Sequence, residues 1–230
     1  ATLDHPEGHR DIKLDAKMAH ERYSLQLYDH LTEGVDLTGK DVLEVGSGRG
    51  GGAVFIHQTM NPRQMVGVDI ASEAVDFCNR THTQDGLSYK VGDAEKLPFE
   101  DDTMDVVLNL ESSHCYPSMD AFLGEVKRVL RPGGLFLYAD HRPRSHENAF
   151  RKKLQNSGMR IAREADITPN VIRAMEMDQE RKLALIHERV PKSMANSIRE
   201  FAATDDSTLR HEFVSGKRWY FSLTMENAAA

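Results

Sequence analysis

Five glycines fall between Gly46 and Gly52 in the stretch "LEVGSGRGGGAVFI". Glycine adopts dihedrals closed to other residues and lets the backbone come close to a ligand. Gly46-Ser47-Gly48-Arg49-Gly50-Gly51 satisfies the dinucleotide fingerprint G-x-G-x-x-G, which is a weak signal alone. Its neighbours sharpen it. Glu44, two residues before Gly46, would repel a pyrophosphate but suit a cationic amine or sulfonium. Asp69, closing "MVGVD", can accept hydrogen bonds from both hydroxyls of a ribose. Asp93, in "VGDAEKLPF", can receive an adenine amino group. A nucleoside that carries an amino acid and no phosphate fits all three. Each acid also has a plainer reading: Glu44 as a solvated strand end, Asp69 as a helix cap before Ser72, and Asp93 as a turn carboxylate.

A second set of chemistry-bearing residues lies in "NLESSHCYP" and "YADHRP": Glu111, His114, Cys115, Asp140 and His141. Histidine and carboxylate are the usual general acids and bases. The plainer readings are a helix cap for His114, a strand-end carboxylate for Asp140 and a loop residue for His141. No dense carboxylate motif supports a divalent metal at Glu111, Asp140 and His141, so no metal is expected.

These residues need elements to position them. "LDAKMAHERYSLQLYDHL" has helical apolar spacing, which predicts a helix over Asp15–Glu33. "DVLEVG", "QMVGVDI", "LSYKVGD", "MDVVLNLE" and "LFLYAD" read as five strands. "GGAVFIHQTM", "EAVDFCNRTHT" and "SMDAFLGEVKRVL" read as helices, the first stopped by Asn61-Pro62 and the second capped by Ser72. Strands alternating with helices predict a doubly wound, mostly parallel sheet with helices on both faces. Past Asp140 the alternation breaks. "HRPRSHENAFRKK" reads as a loop leading into a solvated helix, "DITPNVIRAMEMDQERKLALIHERVP" as one or two helices, and "KRWYFSLTMEN" as a last, antiparallel strand. The expected layout is one domain: an arm and lid helix over 1–36, a core over 37–140, a helical cap over 141–215 and a final strand over 216–230.

The 230 residues are 40% hydrophobic and 28% charged, as in an ordinary globular domain. No 18-residue apolar run or signal-peptide core occurs, so neither membrane insertion nor secretion is expected. Two distant cysteines, Cys78 and Cys115, point to no disulfide framework and to the cytoplasm. The formal charge of −7 argues against a nucleic-acid partner.

At the glycine turn the chain resembles the class I S-adenosylmethionine-dependent methyltransferases, through Glu44, Gly46, Gly48, Gly50, Asp69, Asp93-Ala94 and "RVLRPGG". The resemblance covers about Leu37 to Asp140. It implies S-adenosylmethionine as cofactor and S-adenosylhomocysteine as product, with the methionyl end over the glycine turn near Glu44. It extends the cofactor contacts to Ser47, Ile70 and Leu110. His20 and Tyr23 on the first helix are candidates for closing the site, with Tyr23 the one taken as a cofactor contact. "ESSHCYP", "LRPGG" and "YADHRP" look like small-molecule O-methyltransferases of natural-product and antibiotic pathways, including mycobacterial lipid-polyketide enzymes and sugar O-methyltransferases of glycosylated alkaloids. By that resemblance His114 is the first choice of base, with Asp140 or His141 as orienter or alternative base. No step needs a thiolate at Cys115. Met175, Met177 and Met194 offer adaptable lining for a bulky apolar acceptor, with core packing as the plainer reading. The expected function is O-methylation of a hydroxyl on a polyketide-like or glycosylated metabolite, with a homodimer as the candidate assembly. C-methylation of the quinone or sterol type is the main alternative, then N-methylation. A nicotinamide oxidoreductase fits Glu44, the "GDA" turn and "RPGG" poorly.

Overall fold

The computed structural model describes residues 21–205 and 207–228. Helix α1 (Arg22–Leu31) precedes strand β1 (Asp41–Val45), helix α2 (Gly51–Met60) and strand β2 (Gln64–Asp69). Helix α3 (Ser72–Thr81), β3 (Leu87–Val91), β4 (Met104–Leu110), α4 (Met119–Val129) and β5 (Leu130–Pro143) follow. The chain continues through α5 (Glu147–Asn156), β6 (Arg160–Asp166), α6 (Thr168–Arg189), α7 (Ala195–Phe201), α8 (Thr208–Val214) and β7 (Arg218–Glu226).

The seven strands form one sheet in the order β3-β2-β1-β4-β5-β7-β6. The first five pair in parallel. Order reverses between β1 and β4, the place where an open α/β sheet leaves a crevice beyond its strand ends. β7 runs against β5: Gly133 N–H donates to Asn227 O at 2.6 Å, and at the other end Arg144 N–H donates to Lys217 O at 2.7 Å. The fold class therefore matches the sequence expectation, a mostly parallel doubly wound sheet with an antiparallel last strand and helices inserted after strand five.

The chain divides into two compact units. One holds the sequence up to Asp140, Phe150–Glu164 and Ser222 onward; the other holds His141–Ala149 and Ala165–Phe221. In the first unit every residue of β1 is buried, as a strand covered on both faces requires. α2 buries Ala53, Phe55 and Ile56, and α4 buries Phe122, Leu123, Val126 and Val129. Each large side chain so removed from water contributes about 1.5–3 kcal/mol. At the entry ends of β1 and β4 the charges are structural: Arg131 binds Asp41 at 3.0 Å and Asp105 at 2.9 Å. In the second unit α6 packs with α7 and α8.

Several local expectations change. α1 begins at Arg22, and the earlier part of the expected helix, with His20, lies outside the described residues. α3 is preceded by Ala71, not capped by Ser72, whose hydroxyl turns to Glu73. Asp93 sits in the turn after β3 rather than ending it. "LRPGG" is a bulge inside β5: Met104 pairs with Leu130 but Val106 already with Leu135, and Gly133 takes φ +79°. β6 was not expected. Its residues alternate exposed with half-buried and none is fully buried, so it lacks an apolar face. Charged edge strands of this kind resist pairing with other chains. Among the described residues no helix is long and apolar enough to cross a membrane.

Candidate active site

Gly46, Gly48 and Gly50 all take positive φ, at +78°, +52° and +78°. What the glycines approach divides them. A Cβ at Gly46 would meet Ser112 Oγ at 2.3 Å, one at Gly50 would meet the Tyr89 hydroxyl at 2.6 Å, and one at Gly52 would meet the Tyr28 ring at 2.0 Å. At Gly48 and Gly51 a Cβ would meet nothing within 4 Å. Three of the five therefore make room for the protein's own side chains, and two leave open space. Asn109 supports the turn from below, donating to Val45 O at 2.9 Å, Ser112 Oγ at 2.8 Å and Tyr116 Oη at 3.1 Å. Burial pushes the Tyr116 phenol up to about 12.

Glu44 is the last residue but one of β1 and is 1% exposed. Tyr28 donates its hydroxyl to Oε1 at 2.5 Å. Oε2 is buried and makes no hydrogen bond among the described residues. Burial pushes the carboxyl up to about 7, opposed by the Tyr28 hydroxyl and by Ala53 N–H in the first turn of α2. The same burial raises the Tyr28 phenol further above its ordinary range. Glu44 is thus not the solvated strand end of its plainer reading.

Asp69 closes β2. Oδ2 accepts Gly48 N–H at 2.8 Å and Oδ1 accepts Ala71 N–H at 2.9 Å, so one carboxylate ties the glycine turn to the start of α3. Ionised carboxylates have about four lone-pair sites, which leaves acceptor capacity for a diol. Ile70 beside it is 73% exposed. In the next turn Asp93 Oδ1 accepts Glu95 N–H at 2.9 Å, which is the turn role of its plainer reading, while Ala94 is buried. Ser47 is buried and Leu110 half-buried at the end of β4. Tyr23 is half-buried in the first turn of α1. It lies five positions before Tyr28, so at about 3.6 residues per turn the two point to different sides of the helix.

His114 and Asp140 come together in the first unit. His114 Nδ1 and Asp140 Oδ1 are 2.8 Å apart, and His114 N–H donates to Oδ2 at 2.9 Å. Asp140 is 0% exposed. Ser113 Oγ donates to the same Oδ2 at 2.6 Å and therefore accepts from Tyr138 Oη, also at 2.6 Å. A carboxylate only accepts, so Nδ1 carries the hydrogen and Nε2 the lone pair. Ser118 caps α4 with its own hydroxyl, accepting from Ala121 N–H at 3.2 Å, so His114 is not that helix's cap. His141 follows Asp140 in the chain but belongs to the second unit. There Arg218 donates to its Nδ1 at 3.0 Å, and Phe213 and Tyr220 flank its ring. Cys78 and Cys115 are free thiols, the second exposed. Met177 and Met194 of the second unit are 55% and 53% exposed, against core packing as their role, while Met175 is half-buried.

Tyr28, Ser113, Tyr138, Asn109 and Gly52 were not singled out from sequence. One signal was present: the motif needs Gly46, Gly48 and Gly50, and "GGG" carries two glycines more than it requires.

Residues 43–138 match the Methyltransferase domain family. Over 210 residues the chain is 37% identical to the phthiotriol/phenolphthiotriol dimycocerosates methyltransferase of Mycobacterium tuberculosis, covering 91% of this chain and 78% of that one. Over 180 residues it is 41% identical to the fatty-acid O-methyltransferase of Mycolicibacterium smegmatis, covering 78% and 66%. Among solved structures it resembles a geranyl diphosphate C-methyltransferase from Streptomyces coelicolor A3(2), held with Mg2+, geranyl diphosphate and S-adenosyl-L-homocysteine. The TM-score is 0.69 at 15% identity, covering 99% of this chain and 91% of that one.

Proposed function

The chain belongs to the class I S-adenosylmethionine-dependent methyltransferases, and on that premise we propose that it methylates a hydroxyl oxygen of an apolar, polyketide-like or glycosylated metabolite. The residues at the switch point suit the cofactor. Glu44 Oε2 is a buried acceptor without a hydrogen bond, Gly48 and Gly51 face open space, and the Asp69 carboxylate has acceptor sites to spare. In this reading Glu44 meets the methionyl ammonium, Gly46, Ser47, Gly48 and Gly50 pass beneath it, and Asp69 takes the ribose. Ile70, Ala94 and Leu110 border the adenine, Asp93 receives its amino group, and Tyr23 stands by α1.

The cofactor supplies a methyl group already activated by a positive sulfur, so the protein's task is alignment and proton removal. His114 does the second. Asp140 fixes the imidazole so that the Nε2 lone pair would take the acceptor's hydroxyl proton as its oxygen bonds to the methyl carbon, the electron pair of the broken carbon–sulfur bond staying on sulfur. Asp140 then stabilises the imidazolium through the 2.8 Å bond. Ser113 and Tyr138 hold Asp140 in turn. His141, tied to Arg218, is left as an alternative base of lower rank.

The dyad is the observation that carries a hydroxyl acceptor. A carboxylic acid is ionised at neutral pH, with an ordinary value of about 4, and offers no proton to take. An alcohol keeps its proton and needs a base in the transition state. The names of the mycobacterial relatives support a lipid-like acceptor, and the exposed methionines add apolar surface on the second unit. Incubation with methyl-13C cofactor and a panel of hydroxylated long-chain and polyketide acceptors tests the reading. An O-methyl carbon resonance is expected; a C-methyl resonance would place the chain with the alternative.

A further inference from the structure

Tyr28 lies sixteen residues before Glu44 on a helix outside the sheet's alternation, yet its hydroxyl reaches the carboxylate at the end of β1. Two separate features build that contact. One is the 2.5 Å hydrogen bond to Oε1. The other is Gly52, where any Cβ would overlap the Tyr28 ring at 2.0–2.3 Å. Gly52 opens no space toward a ligand; it admits the tyrosine.

The surroundings of the second oxygen say what it awaits. Oε2 is buried and makes no hydrogen bond among the described residues. Among the described residues, the titratable groups that act on Glu44 or feel its charge are Tyr28 on α1, Asp69 at the end of β2, Cys78 on α3 and Tyr89 on β3, while Ala53 N–H in the first turn of α2 joins Tyr28 in favouring the ionised form. All are acidic or neutral. A buried carboxylate among such groups is costly unless a donor or cation arrives.

We propose that Tyr28 is a positioning residue for cofactor binding: it occupies Oε1 of Glu44 and so presents Oε2 to the cofactor's ammonium group. This rests on the assignment of Glu44 to the methionyl end. Tyr28 acts through Glu44 rather than on the reacting atoms. Its hydroxyl favours the ionised carboxylate against the burial that opposes it. Removing the hydroxyl should therefore leave Glu44 protonated at neutral pH, and alkaline pH should restore it.

Calorimetric titration with S-adenosylhomocysteine, which carries the same ammonium, tests this without turnover. Tyr28→Phe keeps the ring. Its affinity should fall about tenfold relative to wild type near pH 7, and by no more than about twofold near pH 8.5. Gly52→Ala, which displaces the ring, should weaken binding in the same pH-dependent way. Glu44→Gln should bind weakly at both pH values. If Glu44→Gln binds like wild type, the Glu44 assignment fails and the proposal with it. If Glu44→Gln is weak but Tyr28→Phe binds like wild type, the assignment stands and the proposal is wrong. A Tyr28→Phe deficit of equal size at both pH values would reduce Tyr28 to packing and overturn it as well.

Discussion

His114 and Asp140 are joined by two hydrogen bonds, side chain to side chain at 2.8 Å and backbone to side chain at 2.9 Å. The second bond fixes where the first is made, because it anchors the turn after β4 to the end of β5. The imidazole is thereby held by its own backbone as well as by its ring. Replacing either residue should spare cofactor binding and remove base assistance. His114→Gln and Asp140→Asn should each lower kcat about 10²–10⁴-fold on a hydroxyl acceptor. The affinity for S-adenosylhomocysteine, read by calorimetry, should stay within about twofold for both variants.

Ser113 supports the dyad at one remove. Ser113→Ala removes a hydrogen-bond donor to Asp140 and, in the same buried place, the serine oxygen that the Tyr138 hydroxyl meets. A stability loss of about 1–3 kcal/mol in denaturant titration is expected. A fall in kcat of about tenfold should accompany it, with KM for the cofactor unchanged. Tyr138→Phe should show the smaller effect on kcat, since its hydroxyl touches Ser113 rather than Asp140.

Glu44 makes stability depend on pH. Folding raises its carboxyl from 4.5 to about 7, so across that window the folded chain keeps a proton the unfolded chain has released. Stability therefore falls as pH rises from about 4.5 to about 7 and stays lowered above it. Glu44→Gln should abolish this decline. Without cofactor, the variant should be more stable than wild type by about 1–3 kcal/mol near pH 8, and the two should converge near pH 4. The same variant should lose cofactor affinity, so the residue trades stability for binding. Equal pH profiles for the two proteins in urea unfolding would contradict the assigned burial effect.

Asp69 joins two backbone segments and, in this account, a ribose. Asp69→Ala should weaken S-adenosylmethionine binding about 100-fold or more and cost about 1–3 kcal/mol of stability, because Gly48 and Ala71 N–H lose their acceptor. Asp69→Asn should recover part of the stability and little of the affinity, since its amide offers one acceptor oxygen where the carboxylate offers two.

The cofactor half was legible in the sequence because its signals are local. Apolar strands, helix stops such as Asn61-Pro62 and acids at strand ends all fall within short windows, and Asn61 does take φ +50° after α2. The missing strand β6 has no such signal: "RIAREAD" owes its state to pairing with β7, not to an apolar face. The pairing of His114 with Asp140 was anticipated with His141 as an equal candidate for orienter, since both follow strand five and neither distance can be read from sequence. Ser113 and Tyr138 were invisible because an ordinary serine and a core tyrosine acquire their role from a register across twenty-five residues. Tyr28 was passed over for Tyr23 on the same helix, because helical spacing alone does not say which face meets β1. His141 ranked below His114 as a base, and the Arg218 that donates to its Nδ1, seventy-seven residues away, left no mark in the sequence around it.

The most direct test compares methyl transfer by wild type and His114→Gln on two matched acceptors, a long-chain alcohol and the corresponding fatty acid, both with methyl-13C cofactor. The account predicts that wild type makes the methyl ether and that His114→Gln loses that activity by at least about 100-fold. Any methyl ester from the acid should change by less than about threefold, because its oxygen has no proton to give up. An undiminished ether rate in His114→Gln would show that the His114–Asp140 pair is not the base, and a wild type that makes no ether would overturn the hydroxyl reading.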